Sequence, residues 1–425
     1  MPVKCSLFKV VLIALFLVAL LQFIYLSLLS KLHGRLQNYR YSELFQTGNF
    51  KRDNLQREKN DRKEHFRYSL SSGGVLDVSG QYRIYSSILQ SEAIARRGEL
   101  RGDFALATHT SINNLHQLKD LVDRWQNQIS LSLFAIANDV RFATMIIFAL
   151  SSFCSEVQEL VTFHLVCHSG DLAVFPEQDH NAFAKLRNCA SVFKKLHAYR
   201  AKYQNYAIGN NASYPNNLLR NVARTGTNSK YLMTIDIDML PSEKLHSEFL
   251  NLIEENVDIE EQTLFVVPAF EIRHTRRIPS TKSELLQLYQ VGEVRAFYEE
   301  LCWKCHAPTN YSRWINLSVD SKLAEAYAVE WRDPWEPFYV SVNSVPLFDE
   351  RFKQYGFNRI SQACELHVAG YQFLVLNNAF LIHKGFKTAS EFHAGKDAEN
   401  RRNKIIFRQF KQDLKNKYPE SPRRC

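Results

Sequence analysis

Apolar positions fall along this chain in three regimes. Val10 to Leu29 is almost wholly apolar, about 20 residues, enough for a helix to cross a bilayer core. Residues 30–74 are rich in Arg, Lys, Asn, Gln, Glu and Ser with few periodic apolar positions, the pattern of a polar tether. From Val75 onward, apolar runs of strand length alternate with runs of helical spacing. Phe104 to Thr108 predicts a strand, and Leu115, Leu118, Leu121 and Trp125 then share a helical face. Ile129 to Ala137 predicts a second strand, Asp139 to about Phe153 a helix, and Val161 to Cys167 a third strand. That order predicts an α/β fold: a mixed, mostly parallel sheet with flanking helices. The expected organisation is a tail at 1–9, a transmembrane anchor at 10–29, a stem at 30–74 and a folded body at 75–425.

One stretch of the body carries chemistry. Lys230 to Ser242 is an apolar strand-length run that ends in Asp236-Ile237-Asp238 and meets a Pro-Ser turn signal. Alternate strand residues share a face, so Asp236 and Asp238 are expected to point the same way. Two acids on one side make a hard-oxygen site for Mg²⁺ or Mn²⁺, and at a strand's carboxyl end such an ion clamps a substrate's phosphates. Asp258-Ile259-Glu260 has similar spacing, but it lies in a polar stretch with no apolar strand leading into it. Just upstream, Tyr214 to Arg224 predicts a short helix with proline near its start. Arg220 and Arg224 share a face of it, open to phosphate contact or to plain solvation. Thr108 and His109, at the end of the first strand, are placed either to meet a nucleotide or to cap the next helix.

Charge narrows the partners. The 425 residues carry a formal charge of +9 spread along the sequence, with no zinc-finger spacing, RNA-binding aromatic signature or Lys/Arg block, so a nucleic-acid module is excluded. Lysine and arginine flank both ends of the apolar span and leave its orientation open. Three N-glycosylation acceptors, Asn211, Asn310 and Asn316, favour a lumenal body behind an uncleaved anchor. Of eight cysteines, Cys5 precedes the span; the other seven would face an oxidising lumen, so at least one stays free or pairs between chains. Cys302-Trp303-Lys304-Cys305 lacks the placement of a redox motif and reads as a structural staple. The basic stretch Arg401 to Lys417, with Ile405, Ile406, Phe410 and Leu414 at helical spacing, predicts a final helix on the body.

Longer motifs give a resemblance. Tyr214 to Arg224 with Thr234 to Ser242 resembles the donor-site region of the lumenal, GT49-type glucuronyltransferases that act on dystroglycan O-mannosyl glycans. The likeness continues through Pro268 to Arg273, Ala307 to Trp314, Asp333 to Val340, Phe348 to Gln362, His383 to Lys387 and Tyr418 to Cys425. It implies a GT-A fold and an inverting, Mn²⁺-dependent transfer, Mg²⁺ being the alternative ion. The implied donor is UDP-glucuronate, and the implied acceptor is a β-linked xylose extended in β-1,4 linkage to prime a later polymer. Asp236 and Asp238 match the family's metal motif, and His383 matches the late histidine that completes the metal shell. The resemblance also implies a single-pass type II protein of the Golgi membrane, with other glycosyltransferases of the pathway as candidate partners.

Inversion needs a carboxylate that takes the acceptor's proton. Tyr355 to Arg359, where another inverting family carries an acid, has none. Asp333, Glu336, Asp349, Glu350, Glu365 and Glu271 are the candidates; Asp333 and Glu336 lead, because Trp331, Trp335, Phe338 and Tyr339 around them are of the kind that stack on sugars. A glucuronyl donor carries its own carboxylate, for which Arg273, Arg276, Arg277, Arg359 and Lys384 are available cations. A transferase for another UDP-sugar, such as N-acetylglucosamine, and a non-catalytic glycan-binding scaffold remain open.

Overall fold

The computed structural model describes residues 20–22, 24, 61–97, 104–175, 186, 188–200, 202, 213–256, 260–320, 322–391 and 395–425. The chain divides into two compact units, Met1–Glu64 and His65–Cys425. In the first, residues 20–22, 24 and 61–64 are described, all helical. No helix among the described residues is long and apolar enough to cross a membrane. Most of the expected anchor, the stem as far as residue 60, and Asn211 lie outside them. The second unit begins ahead of the expected Val75, because Phe66 and Leu70, one helical turn apart, are buried in its main core.

Its first strands are β1 (Val75–Leu76), β2 (Tyr82–Leu89), β3 (Phe104–Ser111), β4 (Ile129–Phe134), β5 (Val161–His168), β6 (Tyr231–Asp236) and β7 (Met239–Pro241). There follow β8 (Thr263–Val266), β9 (Ala269–Ile272), β10 (Val294–Ala296), β11 (Ala324–Val329), β12 (Tyr339–Val342), β13 (Gln372–Asn377) and β14 (Leu381–Lys384). The helices that matter for the site are α1 (Leu118–Trp125), α2 (Asp139–Phe153), α3 (Asn216–Thr225), α4 (Glu299–His306), α5 (Asn358–Val368) and α6 (Lys396–Lys417).

Among the described residues ten strands form one mixed sheet in the order β1-β2-β5-β4-β3-β6-β12-β8-β13-β11. The block β5-β4-β3-β6 is parallel, as the strand and helix alternation predicts. β2 and β12 join its two sides antiparallel. Every residue of β3 and β4 is buried, the pattern of strands covered on both faces. β4 stops short of the expected Ala137, which has φ 49°, a left-handed conformation that a strand cannot continue through. A second sheet, β10-β9-β14-β7, sets His383 of β14 opposite Met239 of β7 and beside Glu271 of β9.

Helix α3 begins two residues after Tyr214, with Pro215 at its N-cap. Gly226 ends it, and a Cβ there would collide with the His164 ring and come within 2.9 Å of Ser130 Oγ, so glycine lets the helix lie directly on β4 and β5. Arg220 and Arg224, which read as well as solvated charges, are 3% and 2% exposed. Arg224 is satisfied by the carbonyls of Asn343, Val345 and Pro346. Helix α6 packs on the body through Phe407, Phe410 and Leu414, as expected, whereas Ile405 faces solvent. Among the described residues three disulfides form: Cys154–Cys189, Cys302–Cys305 and Cys364–Cys425. Cys167 is left as a buried thiol, and burial pushes its pKa up to about 12, so it is inert.

Candidate active site

β6 ends at Asp236, and Ile237 and Asp238 make the turn into β7. The two carboxylates therefore do not share one strand face as expected, and each has its own set of partners. Parallel pairing of β3 with β6 puts His109 beside Asp236. His109 Nε2 donates to Asp236 Oδ1 at 3.2 Å, while its Nδ1 lies 2.8 Å from the Tyr214 hydroxyl. Since a carboxylate only accepts, the proton sits on Nε2 and Nδ1 accepts from the tyrosine. Arg220 from α3 and Arg359 from α5 each donate to the same Oδ1 at 3.0 Å. Burial raises the Asp236 pKa, but Arg359, Arg220 and the His109 hydrogen bond outweigh it and hold the group well below the carboxylate range. Two guanidinium ions, one carboxylate and a histidine kept neutral by burial leave this cluster with one positive charge, suited to an anionic ligand.

Asp238 faces the second sheet. Its Oδ2 lies 3.3 Å from His383 Nε2 and 3.3 Å from Lys387 Nζ. Burial again works against the charge, and Lys387 and His383 again overcome it, so Asp238 stays ionised. His383 Nδ1 lies 2.7 Å from the Gly385 carbonyl, which can only accept, so Nδ1 carries the proton. That proton fixes the ring, so Nε2, which faces Asp238, is the nitrogen a metal ion would take up in place of the contact with the carboxylate. Among the described residues no cluster of three or more His, Cys, Asp or Glu side chains could hold a metal ion. Asp238 and His383 thus make an open pair that needs a ligand's oxygens to complete a shell, as is usual for divalent ions on phosphates. The three nitrogen donors of Asp236 all bond Oδ1, so they leave its Oδ2 unengaged, and the side chain is 36% exposed.

Glu336 and the Asp236 cluster line one cavity of about 430 Å³, shared with Tyr298 and His306 of the α4 region and Asn358 and Arg359 of α5. The Glu336 side chain is 18% exposed, and its backbone N–H is fixed by the Cys305 carbonyl at 2.9 Å. Burial, with a smaller push from Asp236, raises its pKa from 4.5 to about 7 against the pull of Arg359 and Arg220. A carboxyl so poised suits general-base work near neutrality.

The other candidates fall elsewhere. Asp333 is exposed and does not line the cavity. Its neighbours Trp331 and Trp335 are core residues, at most 7% exposed and off the cavity, whereas Phe338 lines the cavity and carries Arg359 on its ring. Glu271 is fully buried and accepts from Arg295, from the Tyr298 N–H and from the Lys387 N–H, which makes it the anchor of the loops around the site. Asp349 is paired with Arg351, Glu350 with Asn221, and Glu365 with Lys417 and Tyr418. Arg273 and Arg276 pair with Glu293 on the surface, away from the cavity. Lys384 is exposed: His383 faces the site, so its neighbour in the strand faces away. Thr108 is buried within β3 and does not line the cavity. Asn310 and Asn316 are both exposed, as glycan acceptors must be.

Lys387, His306 and Tyr298 escaped the sequence reading. Lys387 stands at the end of the His383 motif, where only the turn at Gly385 brings it back to Asp238. His306 follows directly on the cysteine pair, and its neighbours gave no hint of a pocket.

A family model described as "Glycosyl-transferase for dystroglycan" matches residues 103–419. The chain is similar to beta-1,4-glucuronyltransferase 1 of Danio rerio, 59% identical over 430 residues that cover 99% of this chain and 99% of the relative. It is 51% identical to the Homo sapiens protein of that name, over 100% of this chain and 99% of the relative. A solved structure of GalNAc-T7 with UDP, GalNAc and Mn²⁺ covers 75% of this chain and 51% of its own, with 8% identity and a TM-score of 0.39, too loose a likeness to build on.

Proposed function

Because this chain belongs to the family of glycosyltransferases for dystroglycan, we propose that it transfers glucuronic acid from UDP-glucuronate to a terminal β-linked xylose, forming a β-1,4 linkage. The observation that carries this reading is the 59% identity to beta-1,4-glucuronyltransferase 1 across nearly the whole of both chains. The cavity fits it. Its wall holds a net positive cluster for an anionic donor and, on the same surface, an acid poised to act as a base.

In this reading the body is a GT-A fold, and Asp238 with His383, joined by the Oδ2 of Asp236, are the residues that would hold Mn²⁺, or Mg²⁺ in its place. The chemistry such an ion supplies when bound is neutralisation of charge that grows on the departing UDP. Arg220 and Arg359 keep Asp236 ionised and present positive charge to the donor. Arg359, stacked on Phe338 at 4.2 Å and lining the cavity, is the cation best placed for the donor's carboxylate. Glu336 takes the proton from the xylose 4-hydroxyl as its oxygen attacks the anomeric carbon from the face opposite UDP. The C–O bond to UDP breaks as the new one forms, which inverts the configuration. Asp333, exposed and off the cavity, has no part in this. The chain acts as a type II protein of the Golgi membrane, anchored by residues 10–29, with its body in the lumen and glycans on Asn211, Asn310 and Asn316.

The test is a panel of UDP-sugars offered with a β-xyloside to the full chain, with Mn²⁺ or with EDTA. Metal-dependent transfer of glucuronic acid alone is the expected result. Transfer from a different UDP-sugar, or none from any, overturns the reading.

A further inference from the structure

Among the residues that line the cavity with Glu336, several carry a buried polar atom that the fold leaves unsatisfied, and one of them is the His306 imidazole. His306 is the last residue of α4, directly after the Cys302–Cys305 bridge, and is 3% exposed. Its ring lies parallel to Phe338 at 6.2 Å, and Phe297 and Tyr298 meet it edge-on at 5.3 and 6.1 Å. Three aromatic neighbours therefore fix the plane of the imidazole. Nε2 of that ring is buried without a hydrogen-bond partner in a residue that lines the cavity. A native fold keeps such an orphan where a ligand or an ordered water completes it.

Two features say which ligand. The ring is neutral, since burial, aided by the charge of Arg359, pushes its pKa down to about 3. A neutral imidazole offers nothing special to a phosphate or carboxylate, whereas a hydroxyl can give or take a proton and so satisfies Nε2 in either tautomer. Nε2 also lies 4.0 Å from Glu336 Oε1, too far for a direct hydrogen bond. That gap suits two neighbouring equatorial hydroxyls of a pyranose, whose oxygens are about a hydrogen-bond length apart. One would meet each protein atom.

We propose that His306 is a specificity-determining residue for the acceptor: while Glu336 takes the reacting 4-hydroxyl of the terminal xylose, His306 Nε2 hydrogen-bonds the adjacent 3-hydroxyl. This rests on the function proposed above and adds to it a requirement for a vicinal diol on the acceptor. The enzyme then recognises the sugar beside the bond being made, and the 3-hydroxyl holds the 4-hydroxyl in line with Glu336.

The experiment is a double cycle with the full chain: wild type and His306→Ala, each with a β-xyloside and its 3-deoxy analogue, with donor and acceptor varied in turn. On the parent xyloside, His306→Ala is expected to lower kcat/KM for the acceptor about tenfold, the worth of one such hydrogen bond, with the donor KM unchanged. Wild type should lose a similar factor on the 3-deoxy acceptor, and the variant should lose nothing more. Should His306→Ala not fold, His306→Gln serves as the variant in the same cycle, and its loss and that of the 3-deoxy acceptor should again combine to less than their product. Additive losses, or a change in donor KM instead, overturn this proposal and leave the function standing. Failure of wild type to glucuronylate any xyloside overturns both.

Discussion

Replacing Glu336 with glutamine should make this protein more stable and inactive, and the gain in stability should depend on pH. The wild-type carboxyl sits in a cavity that raises its pKa from 4.5 to about 7, through burial first and the charge of Asp236 second. Below about pH 4.5 it is protonated whether the chain is folded or not, so it costs nothing. Between there and pH 7 the unfolded chain releases the proton while the folded chain retains it. Stability then falls as pH rises. Above pH 7 the penalty is constant, and at about 1.36 kcal/mol per pH unit it comes to about 3 kcal/mol. Glu336→Gln keeps the shape and never ionises, so it escapes the penalty.

For a body of this size an unfolding entropy of about 2.1 cal/mol/K per residue converts about 3 kcal/mol into about 4 °C of melting temperature. Thermal melts of wild type and variant from pH 5 to pH 8.5 should show the variant's advantage growing from near zero to that value and levelling off above pH 7. Turnover should move the other way. Loss of the base is expected to lower kcat about 10²–10⁴-fold, and the rise of wild-type kcat/KM through about pH 7 should vanish from the profile. An advantage that is the same at pH 5 and pH 8.5 would refute the account of Glu336 as a buried acid forced to ionise. A variant as active as wild type would refute its role as base.

Asp238→Asn should abolish turnover and weaken Mn²⁺ binding, read by calorimetry in the presence of UDP, with the melting temperature little changed because Asp238 is 30% exposed and its contacts with His383 and Lys387 are both long, at 3.3 Å. Arg220→Met should cost about 2–3 kcal/mol in denaturant unfolding, below the figure for a wholly buried pair since the Asp236 side chain is 36% exposed and retains Arg359. A cost under 0.5 kcal/mol would mean that Arg220 is not needed to hold Asp236. Lys387→Ala should change the metal and donor KM, while Lys384→Ala, exposed at the strand end, should leave both as they are; equal effects would contradict the placement of Lys387 alone beside Asp238 by the turn at Gly385.

The parts of the fold that showed in the sequence are those set by local periodicity. The parallel block β5-β4-β3-β6 and the helices α1 and α2 follow from apolar spacing, and the Asp-x-Asp triplet at the end of a buried strand marks the site because strand ends are where such sheets bind ligands. The partners of those acids did not show. Arg220 and Arg224 look like a solvated face of α3, and only the segment from Asn343 to Glu350, far along the chain, buries them by supplying carbonyl oxygens and covering rings. No local pattern encodes that. Lys384 is a different case: alternation along the strand sets it opposite His383, so its exclusion could have been read in advance.

What sorts the remaining acids is the environment that each one meets. Asp236 and Asp238 are half-buried beside fixed cations and kept ionised; Glu336 shares their neighbourhood but has no cation within contact among the described residues, and its pKa climbs to about 7. Carboxylates whose environments push their pKa values apart take different chemical roles. An acid that never takes up a proton can hold a cation or orient a guanidinium through the whole cycle, and it cannot serve as the base. An acid that titrates near neutrality can take a proton from a hydroxyl and give it up to solvent before the next turnover. The two arginines on Asp236 thus do more than neutralise it: their own positive charges act directly on Glu336, limit how far it is pushed up, and so keep the base ionised for a useful fraction of the time. Removing Arg359 should therefore raise the pH at which the enzyme turns on, even with the metal ligands untouched.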